Sequence, residues 1–218
     1  MHACTQIFNI SRIIKVKKDG MVNQVERNVF LTESCLVNLI SSCLEKPDRE
    51  TGGFLIGKKE TRTISGERKE CLTLEAAYPL QTKRSGKGYW IPGNWAAYSR
   101  TIGTIRTLKF DIVGEYHSHI ENVPELSKDD LKYIEQEFAR FKRKTIKIND
   151  WIEMVLNIKV KDLPHEKMPK CNWTHFDKKE RCNIRGIKDR KVGYQITLAA
   201  YWFNHEDLTF EEARVNIP

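Results

Sequence analysis

Between residues 110 and 144 the chain couples a strand to a helix across seven intervening residues, and this unit constrains the fold more than any other stretch. FDIVGEYHSH, residues 110–119, is a strand by its β-branched content. From Ser127 to about Lys144 the sequence reads as a helix, with Leu131, Ile134, Phe138 and Phe141 on one face.

The rest of the chain supplies further strands and helices in mixed order. Residues 6–18 and 22–31 alternate apolar and polar positions around the turn signal Lys18-Asp19-Gly20, which predicts an N-terminal hairpin. Thr32 can cap a helix through about Lys46 that places Leu36, Leu39, Ile40, Cys43 and Leu44 on one face, and Pro47 stops it. In RETGGFLIGKK the run Phe54–Ile56 reads as a short buried strand, and Glu70–Pro79 as another. Gln81–Gly88 is a polar loop. YWIPGNW then leads into a helix capped by Asn94 and carrying Ala97, Ile102, Ile105 and Leu108. WIEMVLNIKV and VGYQITLAAYWF are two strong strands. The polar segment 161–192 between them, with Pro164 and Pro169, is too long for an ordinary hairpin loop and reads as an insertion or flap. This order predicts an α/β (α+β) fold, a central mixed sheet flanked by helices, rather than a regular βαβ array.

A chain of 218 residues with 40% apolar and 30% charged residues suits a single soluble domain over residues 1–218. It has no apolar run long enough for a membrane span. The N-terminus lacks the pattern of a signal peptide, so the expected location is cytoplasmic. Cys35, Cys43 and Cys71 sit inside apolar patterns, where reduced cysteine acts as a small hydrophobe. The formal net charge of +8 gathers in patches at Arg12–Lys18, Arg140–Lys147 and Arg185–Lys191. No nucleic-acid reading motif accompanies it, so the charge is read as a solvated surface rather than a nucleic-acid interface.

Residues i and i+2 of a strand point to one face, so His117 and His119 project side by side toward any shared cation. A catalytic Zn²⁺ takes three protein ligands, with imidazole nitrogens at about 2.0–2.1 Å, and leaves a fourth position open. Asp130, in the first turn of the following helix, can supply the third. Ser127-Lys-Asp-Asp130 is equally an S-x-x-D helix start, in which both residues satisfy free backbone N–H groups. The two roles are compatible if the Asp130 oxygens are shared between them. A second cluster, His165, Cys171, His175 and Cys182, lies in the 161–192 segment; its residue types suit a structural zinc, but its spacings match no compact finger.

His117-Ser118-His119, seven residues, Ser127, two residues and Asp130 reproduce the pattern H-S/T-H-x7-S-x2-D, and ETGGFLIG places Glu50 before a glycine-containing strand. In these features the chain resembles the JAMM zinc metalloproteases (the MPN-plus or JAB domain), over roughly residues 20–160, and more the compact prokaryotic type. It departs in having Ile120 where many members have proline, and in the 161–192 segment.

The resemblance implies an MPN/JAB-like domain and hydrolysis of an amide, often the isopeptide bond at the C-terminus of a ubiquitin-like protein. It implies zinc on His117, His119 and Asp130, Glu50 as general base, and Ser127 as hydrogen-bond donor to the developing oxyanion. Expected partners are a ubiquitin-like protein or its conjugates, with E1/E2-like conjugation enzymes encoded nearby. The alternatives are a non-catalytic MPN-type scaffold, a nucleic-acid-associated JAB-like protein, and an amidase for small substrates. Ser118 points away from the two histidines and receives no catalytic part.

Overall fold

The structure is a computed structural model that describes residues 15–16, 26–80, 82–86, 89–92, 95–121, 123–143, 150–162, 170–185, 192–205 and 208–218. In chain order its elements are β1 (Lys15–Val16), β2 (Asn28–Leu31), α1 (Glu33–Glu45), β3 (Gly52–Ile64) and β4 (Glu67–Pro79). Then come β5 (Thr82–Gly86), β6 (Tyr89–Pro92), α2 (Trp95–Thr107), β7 (Ile112–Ile120) and α3 (Lys128–Arg143). The last are β8 (Ile152–Asp162), β9 (Lys170–Phe176), β10 (Lys179–Arg185), β11 (Val192–Asn204) and β12 (Thr209–Asn216).

Ten strands join in the order β1-β12-β2-β4-β3-β7-β8-β11-β10-β9, and β12 also pairs with β11. That extra pairing closes β12, β2, β4, β3, β7, β8 and β11 into a seven-stranded ring. Strand β11 makes closure possible by dividing its length. Residues 194–198 pair with β10, whereas residues 200–204 pair with β12. β12 then turns to run parallel with β2, Val215 opposite Val29.

Side chains from all seven ring strands form one apolar cluster, the barrel interior. Val29, Leu72, Leu55, Tyr116, Leu156, Leu198 and Val215 each represent one strand of it. Cys35, Leu39 and Cys43 of α1 pack into the same cluster. Helix α1 starts as its sequence dictates: Thr32 Oγ1 accepts from the Cys35 N–H at 3.2 Å and donates to the Glu75 carbonyl at 2.9 Å. The outer face of β3, β7, β8, β11 and β12 carries a second cluster, with Phe54, Val155, Tyr201, Phe203 and Phe210 beneath Tyr98 and Ile102 of α2 and Ile134 and Phe138 of α3.

Two register shifts sharpen the bend of β3, one against β7 at Leu55/Ile56 and one against β4 at Ile56/Gly57. Gly114 lets β7 approach β8 closely: a Cβ there would meet the Ile152 carbonyl oxygen at 2.0 Å.

These findings correct the expected fold class. The open, helix-flanked central sheet of an α/β (α+β) MPN/JAB-like domain is replaced by a mainly β chain, a closed barrel with three helices among the described residues. Closure satisfies the backbone of strands that an open sheet would leave as edges. The N-terminal hairpin is corrected as well. Its turn lies outside the described residues, and β1 and β2 each run parallel to β12 instead of pairing with one another. The segment 161–192 contains the β9–β10 hairpin, which extends the sheet beyond β11. Within 81–93, β5 and β6 form a separate two-stranded sheet, and Asn94 lies outside the described residues. No described helix is long and apolar enough to cross a membrane.

Candidate metal centre

His117 and His119 stand on the outer face of β7 at the end from which the chain turns toward α3. Asp130 comes back over them from the first turn of that helix. His117 Nε2 and His119 Nε2 lie 3.1 Å apart, while Asp130 Oδ1 is 3.4 Å from His117 Nε2 and Asp130 Oδ2 is 3.3 Å from His119 Nε2. These are the three residues that the sequence spacing singled out, and they converge.

The separations test whether a metal fits. Four ligands placed tetrahedrally at about 2.0–2.1 Å from Zn²⁺ stand roughly 3.3 Å from one another. The 3.1 Å between the two nitrogens, and the 3.4 and 3.3 Å from each of them to one of the two Asp130 oxygens, bracket that value. Two neutral imidazoles and one carboxylate are also a donor set that zinc accepts. The residues fit the ion.

Their orientation is fixed from behind. His119 Nδ1 lies 3.2 Å from the Val123 carbonyl oxygen, so Nδ1 carries a proton and Nε2 is the nitrogen turned toward the cluster. The loop that supplies this carbonyl is itself anchored. Glu121 N donates to the Ile158 carbonyl at 3.0 Å and Tyr201 Oη to the Pro124 carbonyl at 2.9 Å. Asp130 Oδ2 accepts from the Ser127 N–H at 2.6 Å, and Ser127 Oγ accepts from the Asp130 N–H at 3.1 Å, a reciprocal capping box. The carboxylate thus caps the helix through Oδ2 and still presents Oδ1 toward His117.

Burial alone would raise the Asp130 carboxyl, but the hydrogen bonds from His117 and His119 outweigh it and hold the group far below the usual carboxylate range. His119 moves the other way. Desolvation lowers it, yet the Asp130 carboxylate more than compensates and leaves it raised.

Glu50 is buried at 5% exposure, just ahead of β3. Gly52 pairs with His117, so continuing the register sets Glu50 on the same face, beside His119. Burial raises its carboxyl, against the opposing pull of His117 and His119. Ser127 is exposed, and its oxygen serves the cap. Ser118 faces the barrel interior, as its position between the histidines requires.

Reading the sequence missed two contributors. The Val123 carbonyl is invisible to any pattern of side chains. Asn157, 2% exposed, stands opposite His119 in the β7–β8 register, and its Nδ2 has no hydrogen-bond partner among the described residues. A lone amide within the apolar run WIEMVLNIKV was the available signal. Among the described residues the second cluster does not assemble. His165 lies outside the described residues, and the His175 ring is held by Glu180 at 2.7 Å and Arg214 at 2.8 Å.

No protein-family model matches the chain. No curated protein matches it either. Among solved structures, the solution structure of protein DSY2949 from Desulfitobacterium hafniense is similar over 87% of this chain and 92% of that one, at 11% identity and a TM-score of 0.46. The chain's own topology corrects the JAMM resemblance: its short motifs are present, but the closed barrel is not the helix-flanked sheet that the resemblance implied.

Proposed function

We propose that the protein is a zinc-dependent hydrolase of amide bonds, a peptidase or isopeptidase that removes or processes the C-terminus of a ubiquitin-like protein. The observation that carries the metal-dependent part is the convergence of His117 Nε2 and His119 Nε2, 3.1 Å apart, with one Asp130 oxygen 3.4 Å from the first and the other 3.3 Å from the second. Zinc held there supplies Lewis acidity, polarising a carbonyl and bringing the pKa of water to roughly 7.

The chain's own residues do the rest. Glu50, its carboxyl raised by burial, is suited to accept a proton and to return it to a leaving amine. Ser127 keeps its hydroxyl hydrogen for donation, because its oxygen acts only as acceptor in the cap. Asn157 offers a buried amide N–H beside His119. Leu80 N donates to the Gly52 carbonyl at 3.0 Å, and the chain continues from there into the β5–β6 hairpin. That hairpin therefore starts next to the site, and its outer edges pair with no other strand among the described residues. An extended peptide tail can add to such an edge through backbone hydrogen bonds, which supports a tail substrate over a small amide. A cytoplasmic location and E1/E2-like conjugation enzymes as partners belong to the same reading.

The test uses zinc-loaded protein with ubiquitin-like fusions and lysine conjugates as substrates. Wild type is expected to cleave, Glu50→Gln to keep zinc and lose cleavage, and His117→Ala to lose both. Zinc binding without cleavage of any tail substrate overturns the substrate class. Absence of stoichiometric zinc overturns the whole reading.

A further inference from the structure

In the β9–β10 hairpin Trp173 pairs with Cys182 and Cys171 pairs with Ile184. Cys171 and Cys182 are thus diagonal neighbours on one face of the hairpin. Their Sγ atoms lie 2.8 Å apart. Two thiolates on a tetrahedral zinc stand roughly 3.8 Å apart, given Zn–S bonds of about 2.3 Å. A disulfide needs about 2.05 Å. The observed separation is too short for a shared metal and lies close to bond formation. No His, Asp or Glu joins the two sulfurs in a metal-binding group among the described residues.

The two thiols differ in access. Cys171 is exposed, whereas Cys182 is fully buried among the apolar side chains behind the hairpin. Trp173 and Ile184 pack beside it on the interior cluster. An external oxidant can reach the first sulfur and not the second. The hairpin is also a free end of the ten-stranded sheet, since β9 pairs only with β10 among the described residues. A covalent tie there would fix an edge that barrel closure leaves open.

We propose that Cys171 and Cys182 are a reversible redox pair, in which Cys171 is attacked first and Cys182 resolves it into a disulfide that staples β9 to β10. With a small-molecule disulfide as oxidant, the Cys171 thiolate attacks one of its sulfurs, and one thiolate leaves. The Cys182 thiol then loses its proton to solvent and attacks the Cys171 sulfur, releasing the second thiolate. Two protein thiols are oxidised and one external disulfide is reduced to two thiols. A dithiol reductant reverses both steps.

Oxidised glutathione is the probe. The full chain is incubated with it, remaining thiols are alkylated, and proteolytic fragments are read by mass spectrometry before and after reduction. The expected product is a crosslinked fragment joining Cys171 to Cys182, lighter by two hydrogen atoms than the reduced pair and carrying no glutathione. Cys182→Ser should stop at a glutathione adduct on Cys171, and Cys171→Ser should leave Cys182 unmodified. A wild-type protein that retains glutathione on Cys171, links Cys171 to another cysteine, or leaves both thiols free overturns the proposal. The wild-type outcome decides the matter even if the buried substitution prevents folding.

Discussion

Thr51 and Ser118 are joined in both directions: the Thr51 N–H donates to Ser118 Oγ and the Ser118 N–H donates to the Thr51 carbonyl, each at 2.9 Å. This double link ties the residue after Glu50 to the residue between the two histidines. It sets the proposed base against the proposed ligands without touching either. In Ser118→Ala the Thr51 N–H loses its side-chain acceptor at a site where Ser118 is fully buried. The expected loss of stability is about 1–3 kcal/mol. Zinc content should be unchanged, while displacement of Glu50 should lower kcat by roughly ten- to a hundredfold. Metal analysis alongside steady-state kinetics checks this; loss of zinc in Ser118→Ala would show that the link holds the ligands rather than the base.

Asp130 caps α3 and is a proposed metal ligand, and two substitutions separate the two roles. Asparagine keeps an oxygen for the Ser127 N–H but removes the charge that pairs with the imidazoles, so Asp130→Asn should leave the metal-free protein nearly as well capped. Asp130→Ala removes the cap also, at a further cost of about 1 kcal/mol. Wild type should gain stability from zinc by mass action, about 2.7 kcal/mol when free zinc is a hundred times its dissociation constant. A chelator should cancel that gain. Thermal unfolding with zinc and with chelator is the measurement: the zinc-dependent rise in Tm should shrink in both variants. An undiminished rise in Asp130→Ala would remove Asp130 from the ligand set.

The site was legible because each of its signals is local. The two-residue period of a strand sets His117 beside His119, and the S-x-x-D cap sets Asp130 at the helix start; neither depends on how the sheet closes. The barrel was not legible because closure rests on β12. In TFEEARVN only Phe210, Ala213 and Val215 are buried, interrupted by Glu211, Glu212 and Arg214, so the segment lacks the apolar density of a recognisable strand. Its partner β2 lies nearly the whole chain away in sequence, with Arg214 opposite Asn28. Long-range parallel pairing of that kind leaves no periodic trace. The outer half of β3 was missed for a simpler reason: residues 58–64 are exposed or half-buried throughout, with none fully buried.

Two glycines should answer oppositely to alanine. At Gly114 the new Cβ meets the Ile152 carbonyl oxygen at 2.0 Å, a backbone atom with no freedom to move aside. Gly114→Ala should force β7 from β8 and cost about 3 kcal/mol. Gly103 lies within α2 and a Cβ there meets nothing within 4 Å. Gly103→Ala should therefore stabilise by about 0.5–1 kcal/mol through the unfolded chain and helix propensity. Denaturant midpoints at constant slope measure both. A tolerated Gly114→Ala would mean that the strands do not approach as closely as the register requires.

Glu153 gives the barrel a pH dependence whose sign is fixed by its surroundings. It is 2% exposed and stands opposite Glu115 in the β7–β8 register. Burial first, then the charge of Glu115, with smaller contributions from Asp130 and Glu137, push its carboxyl well above the ordinary range; the Trp151 indole N–H, donating to its Oε1 at 2.5 Å, acts in the opposite direction. The folded state therefore retains a proton that the unfolded chain releases near pH 4.5. The stabilisation this gives is complete below that pH and is lost as pH rises through the folded pKa, at up to about 1.4 kcal/mol per pH unit for one proton. Glu153→Gln keeps an acceptor for Trp151 and removes the ionisation. Urea unfolding from pH 5 to pH 9 should show wild-type stability falling with a steeper slope than that of the variant, the remainder belonging to the other raised groups, Glu115, Glu50 and His119. Parallel slopes in the two proteins would show that Glu153 ionises in the folded state as it does in the unfolded one.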